Sequence, residues 1–302
     1  MMLNMLVGIS GSGKSYYAKS LEKDGYLVFS SDAIRKELYG SEEDQTHNEV
    51  VFSTLHSRIL TALKSGRRVC YDATNLNAKR RAAFVRMLEL SYVDCFKKCT
   101  VIYRDIEECI EADAKRERSV GIEVIMRQAK QFEVPTRDEG WDGLTACQSN
   151  GLLGRRYSVV QLFENLKDYD QGNHHHSLTL GKHLEECKKN ATGLCDGVPM
   201  TTRNYIDFAC SVHDVGKPYT KILNKRGEYS YYGHQNVGAY VSFLYSNVFQ
   251  QGEMFTIAWL VQNHMEPFFW GTEEQKEKFF QKWGKTRAES IMIIHEADKK
   301  AH

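Results

Sequence analysis

The eight residues Gly8-Ile9-Ser10-Gly11-Ser12-Gly13-Lys14-Ser15 constrain this chain more than any other stretch. They fit G-x-x-x-x-G-K-[ST], and they lie between the apolar run Leu3 to Val7 and a helix-like segment, Tyr16 to Leu21. Strand, glycine-rich loop and helix in that order build an anion nest: consecutive backbone N–H groups turn toward one phosphate, and the helix N-terminus adds its positive dipole end. The pattern predicts that Ser10, Gly11, Ser12 and Gly13 cradle a nucleoside triphosphate, with ATP the expected donor. Lys14 is expected to reach the β- and γ-phosphates, and Ser15 to offer its hydroxyl to Mg²⁺.

The chain beyond the loop sets the fold class. Tyr26 to Ser30, Arg67 to Tyr71 and Cys99 to Tyr103 read as further short buried strands, while Glu49 to Lys64 and Asn77 to Leu90 carry apolar positions at helical spacing. Strands alternating with helices predict an α/β P-loop kinase domain, a parallel sheet flanked by helices with the nucleotide at the carboxyl ends of its strands. The second strand ends in Asp32-Ala33-Ile34-Arg35. A carboxylate there can take the proton of an attacking hydroxyl, and an arginine one turn on can hold an acceptor phosphate. Asp32 is equally suited to cap a helix, and the two roles are compatible. The third strand ends in Asp72-Ala73-Thr74-Asn75-Leu76-Asn77, where Asp72 stands as a Walker-B-like carboxylate would. Beyond the fourth, Lys115-Arg116-Glu117-Arg118-Ser119-Val120 precedes another helix, Glu123 to Gln131. This basic segment is either a solvated face or a lid whose arginine stabilises transferring phosphate.

In that order, Gly8 to Ser15, Asp32-x-x-Arg35, Asp72-x-Thr-Asn-Leu-Asn and Arg116-x-Arg118 resemble the P-loop polynucleotide 5′-kinase family of nucleic-acid end-healing enzymes, over about residues 1 to 140. The resemblance implies that the loop binds ATP, that Asp32 is the general base for a 5′-hydroxyl, that Arg35 holds the acceptor's phosphate and that Arg116 engages the donor. Some relatives place the strand-three aspartate directly before Thr-Asn. Here Ala73 intervenes, so the role of Asp72 stays open.

Around Phe132 to Asn150 the helical pattern lapses into a polar stretch with Pro135 and several glycines, which is read as the boundary between a domain at 1–150 and one at 151–302. From Ser158 onward amphipathic helical runs dominate. Tyr219 to Tyr232 is the exception, where Asn224-Lys225-Arg226-Gly227 suggests a hairpin. The chemistry of this half lies in His176, His183, the doublet His213-Asp214, His234, His264 and Asp298. Neutral imidazoles with carboxylates suit Mn²⁺, Ni²⁺, Co²⁺, Fe²⁺ or Zn²⁺, and a pair of such ions can clamp a phosphate. Adjacent helical residues point about 100° apart. The doublet therefore serves one ion only at a helix end, or with ligands arriving from several helices.

This ordered set resembles the HD-domain phosphohydrolase superfamily of all-α metal enzymes, from about His174 to the C-terminus. The resemblance implies that His183, His213, Asp214 and Asp298 ligate one metal, that His234 and His264 build a second site, and that Lys217 and His176 face the phosphate.

Net charge is +1, so no global field would hold a long polyanion. Recognition of an end or a short segment is favoured over coating of a strand. The eight cysteines include no C-x-x-C pair and sit mostly in apolar runs, which reads as reduced thiols of a cytoplasmic protein with no membrane association. Together these features lead to an expected bifunctional end-healing enzyme. Its first half phosphorylates 5′-hydroxyl ends with ATP and Mg²⁺, and its second removes a 2′,3′-cyclic or 3′-terminal phosphate with a transition metal. RNA ends are placed ahead of DNA ends, and a separate ligase is a possible partner. Two alternatives stand beside it: a small-molecule or nucleoside kinase fused to a nucleotide phosphohydrolase, and a non-catalytic ATP-gated switch.

Overall fold

The computed structural model describes residues 1–149, 157–172, 177–225 and 227–301. Two compact units share them: Met1–Gln128 with Pro135–Gly154, and Ala129–Val134 with Arg155–His302.

The first unit runs β1 (Met2–Val7), α1 (Lys14–Lys23), β2 (Leu27–Ser30), α2 (Ser31–Tyr39), α3 (Asn48–Lys64), β3 (Arg68–Asp72), α4 (Ala78–Leu90), β4 (Phe96–Tyr103), α5 (Ile106–Ala114), α6 (Ile122–Lys130) and β5 (Gly143–Gln148). Its strands form one five-stranded sheet in the order β2-β3-β1-β4-β5, parallel at every pairing. β1 is central, and Leu3 to Val7 are buried, as a strand covered on both faces requires. The register sets Ser30 opposite Asp72, so the ends of β2 and β3 lie side by side and the loop after β1 opens at the same edge. That edge is where an open parallel sheet binds its ligand.

Two expectations change. The cap of α2 is Ser30, so Asp32 sits within the first helical turn and is not the capping residue. The stretch read as a boundary contains β5, which extends the sheet beside β4. Gly-Leu-Thr-Ala-Cys-Gln is short, weakly apolar and mostly half-buried. Its strand conformation comes from pairing with β4, a long-range partner that local pattern does not reveal.

The second unit is mainly helical: α7 (Val159–Leu166), α8 (Leu180–Leu194), α9 (Met200–Val212), α10 (Lys217–Thr220), β6 (Ile222–Leu223), β7 (Tyr229–Ser230), α11 (His234–Tyr245), α12 (Gln251–Asn263), α13 (Glu273–Trp283) and α14 (Lys285–Lys299). α11 is buried from Val237 to Leu244, the sign of a central helix. Residues 129–134 belong to this unit. The Phe132 ring packs edge-on against Tyr240 and Phe243, and the Gln262 amide donates to the Phe132 carbonyl while its oxygen accepts from Val134 N–H. The hairpin expected near residue 224 is the antiparallel pair β6 and β7. His174, His175, His176 and Arg226 lie outside the described residues. Among the described residues no helix is long and apolar enough to cross a membrane.

Candidate functional site

The phosphate loop takes its shape from glycine. Gly11 and Gly13 have φ of 79° and 96°, a region that side chains disfavour, and a Cβ on Gly11 would meet the Cys109 carbonyl oxygen of α5 at 2.1 Å. Ser10 N–H donates to the Gln128 side chain at 2.7 Å, and the Ser12 hydroxyl is buried without a hydrogen-bond partner. Lys14 is buried and donates to the Ile9 carbonyl at 2.8 Å. Burial lowers its pKa, against the pull of Asp72 and Asp32. The buried Asp72 carboxyl is shifted upward by desolvation, opposed by Lys14 and by the neighbouring Ser15 hydroxyl. A hydroxyl and a carboxylate side by side at the loop's end are the donor pair that suits Mg²⁺ beside a triphosphate.

Above the loop lies a cavity of about 650 Å³. Six basic side chains, Lys14, Arg35, Arg104, Arg116, Arg118 and Arg127, line it against the carboxylates of Asp32, Glu42, Glu43 and Asp72. That positive excess favours polyphosphate. Arg35 is 5% exposed; its Nη1 donates to Asp32 Oδ1 at 2.6 Å and its Nη2 to Asn48 Oδ1 at 2.8 Å. Its Nε is buried without a partner, while the Asp32 side chain keeps 56% of its exposure. Arg116 and Arg118 both line the cavity. Lys79, Arg80 and Arg86 are exposed and do not.

The second unit gathers its imidazoles at helix ends. His213 is the C-cap of α9 and His264 the C-cap of α12, His234 opens α11, His183 lies in the first turn of α8 and Asp298 in the last turn of α14. The doublet thus stands at a helix end, where the 100° constraint of a continuous helix relaxes. Each imidazole Nδ1 faces a backbone carbonyl at 2.7–2.9 Å: Ala301 for His183, Cys210 for His213, Tyr231 for His234 and Val261 for His264. A carbonyl accepts only, so Nδ1 carries the proton and each Nε2 turns its lone pair inward.

Those Nε2 atoms meet around Asp214. Oδ2 lies 3.4 Å from both His183 and His213, and Oδ1 lies 3.1 Å from His234 and 3.7 Å from His264. Asp298 Oδ1 is 3.1 Å from His183 and 3.5 Å from His213. The two buried sets His183-His213-Asp298 and His213-Asp214-His264 are each compact enough to hold a metal ion. Burial alone would drive His213 and His183 neutral, but Asp214 and Asp298 outweigh it and raise both pKa values. His264, buried beside His213 and His234, is pushed down to about 3. Positive charge is therefore drawn to one buried point, and imidazole and carboxylate donors without thiolate suit a divalent transition ion.

Lys217 is 4% exposed and donates to Asp214 Oδ2 at 2.6 Å and to Gln171 Oε1 at 2.7 Å. The structure thus places it as the partner of Asp214. Gly216 lets the doublet reach α11, because a Cβ there would lie 2.1 Å from the His234 carbonyl oxygen and 2.6 Å from Gly238 N. Gly216→Ala should therefore displace the start of α11. We expect a loss of about 1–3 kcal/mol or more by thermal unfolding, together with weaker metal uptake; unchanged metal content would contradict this account.

Sequence reasoning missed Arg104, Gln128 and Gln171. Arg104 directly follows β4, so the strand-end rule would have found it. Gln128 and Gln171 carry no local signal.

Residues 3–135 match the family model described as AAA domain. A protein of Autographa californica nuclear polyhedrosis virus, named for polynucleotide kinase and RNA ligase activities, is 29% identical over 146 residues. The match spans 43% of this chain and about a fifth, 20%, of that protein's length. A chain in the solved structure of a Pnkp1/Rnl/Hen1 complex shares 24% identity over 36% of this chain and 38% of its own, with a TM-score of 0.32. The parallel sheet and the loop after its central strand fit a P-loop, kinase-like domain, in agreement with the family match over residues 3–135.

Proposed function

We propose that this chain heals nucleic-acid ends, phosphorylating a 5′-hydroxyl with ATP in its first unit and removing a 2′,3′-cyclic or 3′-terminal phosphate in its second. The observation that carries the reading is that one chain holds two sites of opposite chemical character. One is a loop-and-arginine cavity fit to transfer a phosphoryl group, and the other a buried His/Asp cluster fit to hydrolyse one. The name of the viral relative favours a polynucleotide acceptor over a small molecule.

In the first unit residues 10–15, Lys14 among them, would hold the triphosphate, and Ser15 and Asp72 would hold Mg²⁺, whose chemistry there would be to neutralise phosphate charge. Asp32 takes the proton of the acceptor hydroxyl as it attacks, and Arg35 grips the acceptor's phosphate with the donor capacity that Asp32 and Asn48 leave. Arg116 faces the donor. In the second unit His183, His213, Asp214 and Asp298 would hold one metal, and His234 and His264 would serve a second. Such ions supply Lewis acidity and an activated water for attack on a phosphate ester. Lys217 keeps Asp214 ionised and oriented between the two sites. A reducing cytoplasm and a separate ligase acting on the healed ends complete the proposal.

One RNA oligonucleotide bearing a 5′-hydroxyl and a 2′,3′-cyclic phosphate tests it, incubated with ATP, Mg²⁺ and Mn²⁺ or Ni²⁺, with the mass of each end measured. Wild type should alter both ends, Lys14→Ala only the 3′ end and Asp214→Ala only the 5′ end. If free nucleosides or nucleotides are consumed and the ends stay unchanged, the small-molecule reading replaces this one.

A further inference from the structure

Asp113 is a carboxylate in an unfavourable place. It lies in the last turn of α5 with 1% exposure, and both burial and the negative end of a helix disfavour its charge. Donors from the next segment of chain offset those costs. Asp113 Oδ2 accepts from the Ser119 hydroxyl at 2.6 Å, from Val120 N–H at 2.8 Å and from Gly121 N–H at 3.1 Å, and Oδ1 lies 3.4 Å from Arg116 Nη1. Burial alone would raise its pKa, but the Ser119, Gly121 and Val120 donors together hold the carboxyl below its ordinary value.

The chain between these anchors is the basic segment that borders the cavity. It leaves α5 at Ala114 and enters α6 through Gly121, whose φ of 86° makes the turn. Between them Arg118 reaches across to Glu42 at 3.1 Å and Glu43 at 2.8 Å, on the connection from α2 to α3. The segment is thus pinned at its foot by one carboxylate and at its tip by two, with Arg116 and Arg118 on the cavity wall. Glu42 is partly exposed, Glu43 is exposed, and both pair with the Arg118 side chain, whereas the buried Asp113 holds the backbone itself.

We propose that Asp113 is a positioning residue for phosphoryl transfer, fixing segment 115–121 so that Arg116 meets the donor phosphates. This rests on reading the cavity as a kinase site. A misplacement of about 1 Å in a charge-stabilising group costs on the order of a hundredfold in rate. Asparagine at 113 removes the charge; its amide oxygen can keep the Ser119, Val120 and Gly121 donors, which share one oxygen, and its NH₂ then faces the Arg116 guanidinium in place of an acceptor.

The test is a double-mutant cycle in the full chain with Asp113→Asn, Arg116→Ala and the pair, measuring kcat and KM for ATP-dependent phosphorylation of a 5′-hydroxyl RNA oligonucleotide, with Tm alongside. We expect Asp113→Asn to lower kcat about 10- to 100-fold with KM for ATP changed less than about threefold, and to add almost nothing once Arg116 is alanine. Multiplicative losses in the double variant, or an unchanged kcat in an active background, overturn the proposal alone. A wild type that transfers no phosphate overturns the kinase reading and this proposal with it. Should Asp113→Asn fail to fold, the exposed Ser119 decides: Ser119→Ala removes one of the bonds and should lower kcat several-fold at unchanged Tm. A Ser119→Ala enzyme with wild-type kcat overturns the proposal.

Discussion

Asp214→Ala is expected to strip the second unit of bound metal and to lower removal of a terminal phosphate by at least about a hundredfold, since residues around a metal affect affinity or activity on that scale even when they are not ligands. The expectation rests on where the carboxylate stands. Oδ2 serves His183, His213 and Lys217, and Oδ1 serves His234 and His264, so one truncation disarms both sides of the cluster. It also takes the carboxylate away from the Lys217 ammonium, which is 4% exposed. Breaking a buried pair in this way costs about 3–5 kcal/mol. Metal content by elemental analysis and the rise of Tm on adding Mn²⁺ or Ni²⁺ measure the effect. Wild type should be stabilised by mass action and the variant should not. Metal uptake in wild type should weaken as pH falls, because Asp214 and Asp298 raise the pKa of His213 and His183 and protons compete for the same lone pairs. A variant that still binds metal at wild-type stoichiometry would remove Asp214 from the centre of the site.

Asp32→Ala should cut phosphoryl transfer by about 10²- to 10⁴-fold, the usual contribution of a general base, and leave ATP affinity within about threefold. The separation is structural. Asp32 follows β2, whereas the triphosphate cradle follows β1, and the Lys14–Ile9 and Ser15–Asp72 contacts do not involve it. Single-turnover transfer and equilibrium ATP titration read the two quantities independently. A protein that merely uses ATP binding as a gate would keep its function in this variant. Retained transfer would also return Asp32 to a structural role as the partner of Arg35.

Much of this fold is local and was readable. Short apolar runs alternating with helical spacing specify the parallel sheet, because buried strands and amphipathic helices each need only their own residues to announce them. The Gly8–Ser15 pattern announces the phosphate loop for the same reason: positive φ at Gly11 and Gly13 is a property of glycine itself. The histidines and aspartates of the second unit were visible as a set, but not as a geometry.

What the tertiary structure decided are relations between residues far apart in the chain. β5 is a strand because β4 lies beside it, and residues 129–134 join the second unit because Tyr240, Phe243 and Gln262 receive them. Lys79 and Arg80 stay outside the cavity, while Arg104 and Gln128 enter it. The inward turn of four imidazoles depends on carbonyls at Ala301, Cys210, Tyr231 and Val261, and any residue type carries a carbonyl. Composition and spacing therefore determine which groups suited to phosphate and metal this protein carries. Their directions come from backbone atoms and long-range packing, which leave no mark on the identity of the residues they orient.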